Sequence, residues 1–217
     1  MTQTATETLS ESTVNNSLPD NSLVDWIFAN RRTAVGILVA IVVAAGAVSA
    51  VKASRQAKAA KASEALFAAQ SKTPGTPEAQ SALEAVATAH AGTQQAWQAL
   101  MILAEQAGKN SKSEEAAKWY AQADSKATSD TGRLFARYGQ AFALEKAGKP
   151  ADALAAIESA QKLAQPMLKS ELALARARLF DIQGKKAEAQ QAYEGVIKDF
   201  ANTEAARTAE QWKAISK

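Results

Sequence analysis

The sequence predicts an all-α chain: a single N-terminal transmembrane helix followed by an α-solenoid of stacked helical hairpins. Three observations carry that expectation. The run from Thr33 to Val51 holds no charged residue and is long enough to cross a bilayer. The 217 residues include only 10 Gly and 5 Pro and are 6% aromatic, with alanine abundant throughout. That composition favours helix, because Ala has the best helix propensity and strands want β-branched and aromatic side chains. Beyond position 77 the chain repeats one helix–turn–helix design at a spacing of 36 or 37 residues.

Residues 1–24 are rich in Ser, Thr and Asn and show no apolar period, so they are expected to be a disordered tail. Residues 25–51 form an interfacial segment and the transmembrane helix. At the helical rise, the Thr33–Val51 run makes about 28 Å, close to the hydrocarbon thickness of a bilayer. Trp26, Ile27 and Phe28, then Arg31 and Arg32, supply an aromatic and basic collar in front of it. Val48-Ser49-Ala50 has the small-residue character of a cleavage site, but the run is longer than a signal-peptide core. The tail also holds Glu7, Glu11, Asp20 and Asp25, with no basic residue before Arg31. An uncleaved anchor is the expectation.

Two further patterns belong to the anchor. Gly36, Ala40 and Ala44 recur at every fourth position, a small-residue stripe that would let a second helix approach closely; plain abundance of Ala and Gly is the alternative. Arg31 and Arg32 flank one end, and Lys52, Arg55, Lys58 and Lys61 follow the other in steps of three. These six suit anionic lipid headgroups, or serve as solubilising charge. By the positive-inside rule, two basic residues against four would leave the C-terminal part in the cytoplasm.

Residues 52–72 read as a helical connector, with no breaker before Ser71. "TPGTPE" (73–78) marks a turn, with Pro77 placed to open a new helix. Residues 77–217 form the repeat domain. Its second helices read "SEEAAKWYAQA", "PADALAAIESA" and "KAEAQQAYEGV", with Ala116, Ala153 and Ala189 in register. Four residues on from these stand Tyr120, Ile157 and Tyr193, and three further on Ala123, Ala160 and Val196. The first helices place Ala104, Ala141 and Ala177 twelve residues earlier. Small residues let the two backbones of a hairpin approach, and the larger residue one turn on plugs the gap to the next hairpin. A lone hairpin cannot bury its apolar face, so such units stack.

This pattern resembles the tetratricopeptide repeat family, most clearly in the turns "KAGKPADA" (146–153) and "IQGKKAEA" (182–189). The 104–123 unit departs from it, with Gly108 displaced and "KNSKSEE" inserted. The layout of tail, anchor and C-terminal repeats, with "WIFANRRTAVGILVAIVVAAG" leading into the membrane, is similar to the family of ancillary Sec translocon subunits. That resemblance implies a bacterial inner-membrane protein whose repeats are periplasmic and associate with the translocon or a periplasmic chaperone, against the flanking charge. The stretch "VIKDFANTEAARTAEQ" also looks like repeats of periplasmic coordinators of envelope constriction, which carry a cleaved signal.

Catalytic material is scarce. There is no cysteine and only one histidine, His90, placed near a helix end where it can meet the carbonyl dipole. Glu114, Glu115 and Lys118 are spaced for ion pairing along one helix. The Gly-Lys pairs lack phosphate-loop spacing and a preceding strand. A net charge of +3, with basic residues interleaved with acids, points away from nucleic acid. No cofactor or metal is expected, and no enzymatic activity.

The first helices are expected to present a groove for a protein partner, with Met101, Phe135, Tyr138, Phe142 and Leu174 near it; the same spacing also describes a core face. The functional expectation is a membrane-anchored interaction scaffold. The alternatives are a self-assembling envelope or division scaffold, which would be a homo-oligomer, and an accessory subunit of a membrane enzyme complex.

Overall fold

The computed structural model describes residues 22–216. Ten α-helices follow one another: α1 (Ser22–Ala29), α2 (Arg31–Gln70), α3 (Pro77–Ala89), α4 (Gln94–Lys109), α5 (Ser113–Lys126), α6 (Asp130–Lys146), α7 (Pro150–Gln161), α8 (Lys169–Ile182), α9 (Lys186–Asp199) and α10 (Glu204–Ile215). A 3-10 turn, Pro166–Leu168, precedes α8, and no strand occurs among the described residues. The disordered tail expected over 1–24 lies outside the described residues up to position 21, and Ser22 already opens α1.

The chain divides into two compact units, the first ending at Ala53 and the second beginning at Ser54. The first is α1 and the leading part of α2. Of the described helices, α2 alone is long and apolar enough to span a membrane, and its apolar window is 0% buried. Val35, Leu38 and Val43 expose 60%, 64% and 65% of their surface. A core helix of a soluble domain would be covered by its neighbours, and this one is not.

The second unit is a stack of hairpins, α4/α5, α6/α7 and α8/α9, preceded by α3 with the end of α2 and closed by α10. The alanine pairs lie where the backbones meet: Ala104 and Ala116, Ala141 and Ala153, Ala177 and Ala189 are all 2% exposed or less. Ile157 and Tyr193 plug the later hairpins at 1% exposure. Bonds between side chains one repeat apart tie the stack together. Thr128 Oγ1 donates to Gln94 Oε1 at 3.2 Å, and Gln165 Nε2 donates to Thr131 Oγ1 at 3.2 Å, each reaching back 34 residues. Arg178 of α8 pairs with Glu145 of α6, 33 residues earlier.

The turns settle the register of the irregular unit. Gly148 and Gly184 end their helices in the left-handed region, φ 72° and 74°. Beyond them Lys149 N–H reaches back to the Leu144 carbonyl, and Lys185 N–H to that of Phe180, the Schellman closure. In the first hairpin Ser111, at φ 59°, takes the same place, and Lys112 N–H reaches back to Ala107. Ser111 stands seven residues after Ala104, as Gly148 does after Ala141 and Gly184 after Ala177. "KNSKSEE" is therefore no insertion; Gly108 lies inside α4, and a serine does the work of the turn glycine. Because a side chain at positive φ costs about 1 kcal/mol or more, Ser111→Gly is expected to raise the urea midpoint by roughly 0.5–1 kcal/mol of stability. Gly148→Ala is expected to lower it by about 1 kcal/mol.

The connections into α3, α4 and α10 share another device. Gly75, Gly92 and Asn202 adopt φ of 81°, 80° and 68°, and each is followed by a threonine N-cap. Thr76, Thr93 and Thr203 accept the N–H of Ala79, Ala96 and Ala206, all at 3.2 Å. The same hydroxyls donate back to the carbonyl three residues earlier. One hydroxyl thus satisfies an orphan donor and closes the turn.

Candidate partner-binding face

Helix α6 carries the most conspicuous exposed apolar surface of the second unit. Ser129 caps it through the Gly132 N–H at 3.1 Å, and Leu134, Ala136, Ala141 and Ala143 point into the core. On the other side Phe135, Tyr138 and Phe142 expose 45%, 43% and 52%. At 3.6 residues per turn these three fall within an arc of about 60°, forming one ridge. The core alternative for them is thereby excluded. Met101 is half-buried on the fringe of the first core cluster, and Leu174 is a core residue of the last one. The structure brings three of the five groove candidates onto one face and takes Leu174 out of a partner's reach.

The ridge is flanked by two cavities. One, of about 90 Å³, lies between α6 and α8 and is lined by Leu134, Phe135, Tyr138, Leu168, Glu171 and Leu172. The other, of about 220 Å³, lies between α4, α5 and α6, with Tyr120 and Phe142 among its walls and Lys109 and Lys146 at its edge. Lys146 Nζ sits 4.6 Å from the centroid of the Phe142 ring, a cation–π contact. Lys109 pairs with Glu105 at 2.7 Å.

Tyr120 links that cavity to the packing of α6. Its ring lies against the backbone of Gly139, where an added Cβ would fall 2.5 Å from Cε1 and 2.6 Å from Cζ. Burial, reinforced by the Glu105 carboxylate, pushes the Tyr120 hydroxyl above the ordinary tyrosine range. Gly139→Ala is expected to destabilise the repeats by about 1–2 kcal/mol, the overpacking cost exceeding the gain in helix propensity. In a Tyr120→Ala background the same change is expected to stabilise by roughly 0.5–1 kcal/mol. The sign reversal, read from chemical denaturation, checks the contact. No feature of spacing marked this pair, because residues 120 and 139 meet only across a hairpin boundary.

The acidic residues at the start of α5 form ion pairs, one of them not along their own helix. Glu114 reaches Lys149 of the next hairpin at 2.7 Å, not Lys118 on its own helix. That hydrogen bond lowers the Glu114 pKa and raises that of Lys149, on an open surface. Glu115 pairs with Lys112 at 3.4 Å and accepts from Trp119 Nε1. His90 caps α3, its N–H bonded to the Val86 carbonyl. Among the described residues no three His, Asp or Glu side chains converge as a metal site would need. Gly36, Ala40 and Ala44, and the basic residues Arg31, Arg32, Lys52, Arg55, Lys58 and Lys61, are all exposed along α2.

No protein-family model and no curated relative matches the sequence. Solved structures do match. The crystal structure of a putative kinesin light chain of nearly identical TPR-like repeats from Podosopora anserina superposes with a TM-score of 0.53 at 18% identity, covering 74% of this chain and 84% of that one. A single-substitution variant of the same protein matches with the same values. At that identity the likeness shows the fold alone: a tetratricopeptide-like α-solenoid.

Proposed function

We propose that this chain is a membrane-anchored protein-interaction scaffold that holds its repeats beside an integral membrane complex. The observation that carries the reading is the pairing of two exposed apolar surfaces of different kinds in one chain. One is the uncovered apolar helix α2, which suits lipid, and the other is the aromatic ridge on α6, which suits a polypeptide. The finer assignment is an accessory factor of the Sec translocon and periplasmic chaperone system in the bacterial inner membrane. Its support is the layout of tail, anchor and repeats and the aromatic and basic approach to the membrane. The small stripe Gly36, Ala40 and Ala44 is the proposed packing face toward another membrane helix, and the basic residues at both ends of the run the headgroup contacts.

Protease protection in spheroplasts tests the topology. Residues 60–217 are expected to be digested in intact spheroplasts; digestion only after lysis would place the repeats in the cytoplasm and end the translocon reading. Co-purification of the full chain in mild detergent tests the partner. Recovery of translocon or chaperone subunits supports the assignment, and self-association alone favours a homo-oligomeric envelope scaffold.

A further inference from the structure

From the two cavities beside the α6 ridge we infer that the partner is an extended peptide segment of fixed charge polarity. It inserts an aliphatic and an aromatic side chain four residues apart, with a cationic group beside the aliphatic one and an anionic group beside the aromatic one. This deepens the scaffold reading and rests on it.

Size separates the two subsites. The α6–α8 cavity, about 90 Å³, has room for about three water-sized groups, a branched aliphatic side chain. The α4–α6 cavity, about 220 Å³, has room for about seven, an aromatic ring facing Tyr120 and Phe142. Charge separates them as well. Glu171 is exposed at the smaller cavity and has no ion-pair partner among the described residues. Lys146 borders the larger one, likewise without a carboxylate partner among them; Lys109 and Glu105 also line it but pair with each other at 2.7 Å, which leaves Lys146 as its unbalanced charge.

Spacing decides the conformation of the occupant. Phe135 and Phe142 are about 10 Å apart along α6 by the helical rise. The cavities also lie on opposite sides of that helix, offset by about one interhelical distance of 8–10 Å. The diagonal is about 14 Å. An extended chain places side chains four residues apart on one face at about 13–14 Å. A helix covers that distance in about nine residues, which puts the two side chains on opposite faces.

The test uses the full chain in detergent micelles and fluorescently labelled synthetic peptides. Lys-Leu-Ser-Gly-Ser-Phe-Glu and its reverse-order counterpart carry the matching polarity, and Glu-Leu-Ser-Gly-Ser-Phe-Lys and its counterpart the opposite one. One matching peptide is expected to bind at least about tenfold more tightly than both opposed ones, since like charges meet at each end of those. The Lys146→Glu/Glu171→Lys double variant is expected to invert the preference. Equal affinities, no binding, or a preference untouched by the double variant would overturn the inference. So would tighter binding of a helical peptide with anchors seven apart. A chain that fails here yet still co-purifies with its membrane partner loses this inference alone; failure of both tests removes the scaffold reading.

Discussion

Replacing Tyr193 by alanine is expected to lower the stability of the repeats by about 3–5 kcal/mol, the largest loss available from one side chain here. Tyr193 is 1% exposed and is the largest of the fully buried side chains. It plugs the α8/α9 hairpin against α10, meeting Trp212 edge-on at a centroid distance of 6.5 Å and 75° between planes. Trp212 is in turn covered by the Arg178 guanidinium at 5.8 Å. The polar closure of α10 depends on the same packing. Gln190 donates to the carbonyls of Lys213 and Ser216, and Ser216 Oγ donates to Asp181 at 2.6 Å. Loss of the ring is therefore expected to fray α10 first, and amide exchange in residues 204–215 reads that directly.

The same site makes stability depend on pH at both extremes. Burial, with the Asp181 charge adding, pushes the Tyr193 hydroxyl from 10 up to about 12. The folded state keeps that proton while the unfolded chain loses it, so stability falls as pH rises above 10, by about 1 kcal/mol per unit until the folded group titrates. Tyr193→Phe is expected to remove that slope. Asp181 has the opposite sense. Its bonds from Lys186 first and Ser216 second hold its carboxyl below the ordinary 3.8. Its contribution is present above that value and is lost as pH falls through the lowered one. Thermal melts of Asp181→Asn and the native chain are expected to converge at acid pH.

Two arginines in the centre of the apolar run, Val42→Arg/Val43→Arg, are expected to release the full chain from membranes. Each charge costs about 2.5–3.5 kcal/mol at the middle of a spanning helix, so the pair shifts partitioning by about four orders of magnitude. Both positions are exposed on α2 and belong to the first unit, before Ala53. The repeat domain should melt as before while the protein moves from the carbonate-washed pellet to the supernatant. Retention in the pellet with unchanged melting would rule out anchoring through this helix.

Much of the repeat architecture was legible because it depends on local rules. The alanines at 104, 116, 141, 153, 177 and 189 are spaced by helix geometry, and every one is buried. The threonine caps after Gly75, Gly92 and Asn202 carry a local signature as well, Gly or Asn followed by Thr and, three positions on, Ala. Ser111 carries no such signature: serine is not the residue expected at positive φ, so a turn of the common length reads as an insertion.

Helix propensity, hydropathy and spacing act along the chain, so local residues suffice for an all-α chain, a run able to span a membrane and a period that stacks hairpins. Which repeated positions face outward depends on packing between repeats. Met101, Tyr138 and Leu174 each stand three residues before the buried alanine of their first helix, yet one is half-buried, one 43% exposed and one 8% exposed. Leu174 is covered because the closing helix α10 joins its cluster through Ala205 and Ala209. Tyr138 stays open because α6 and α8 leave a cavity beside it. Exposure is set by the neighbouring helix, which lies a repeat away in sequence and leaves no periodic signal at the position it covers.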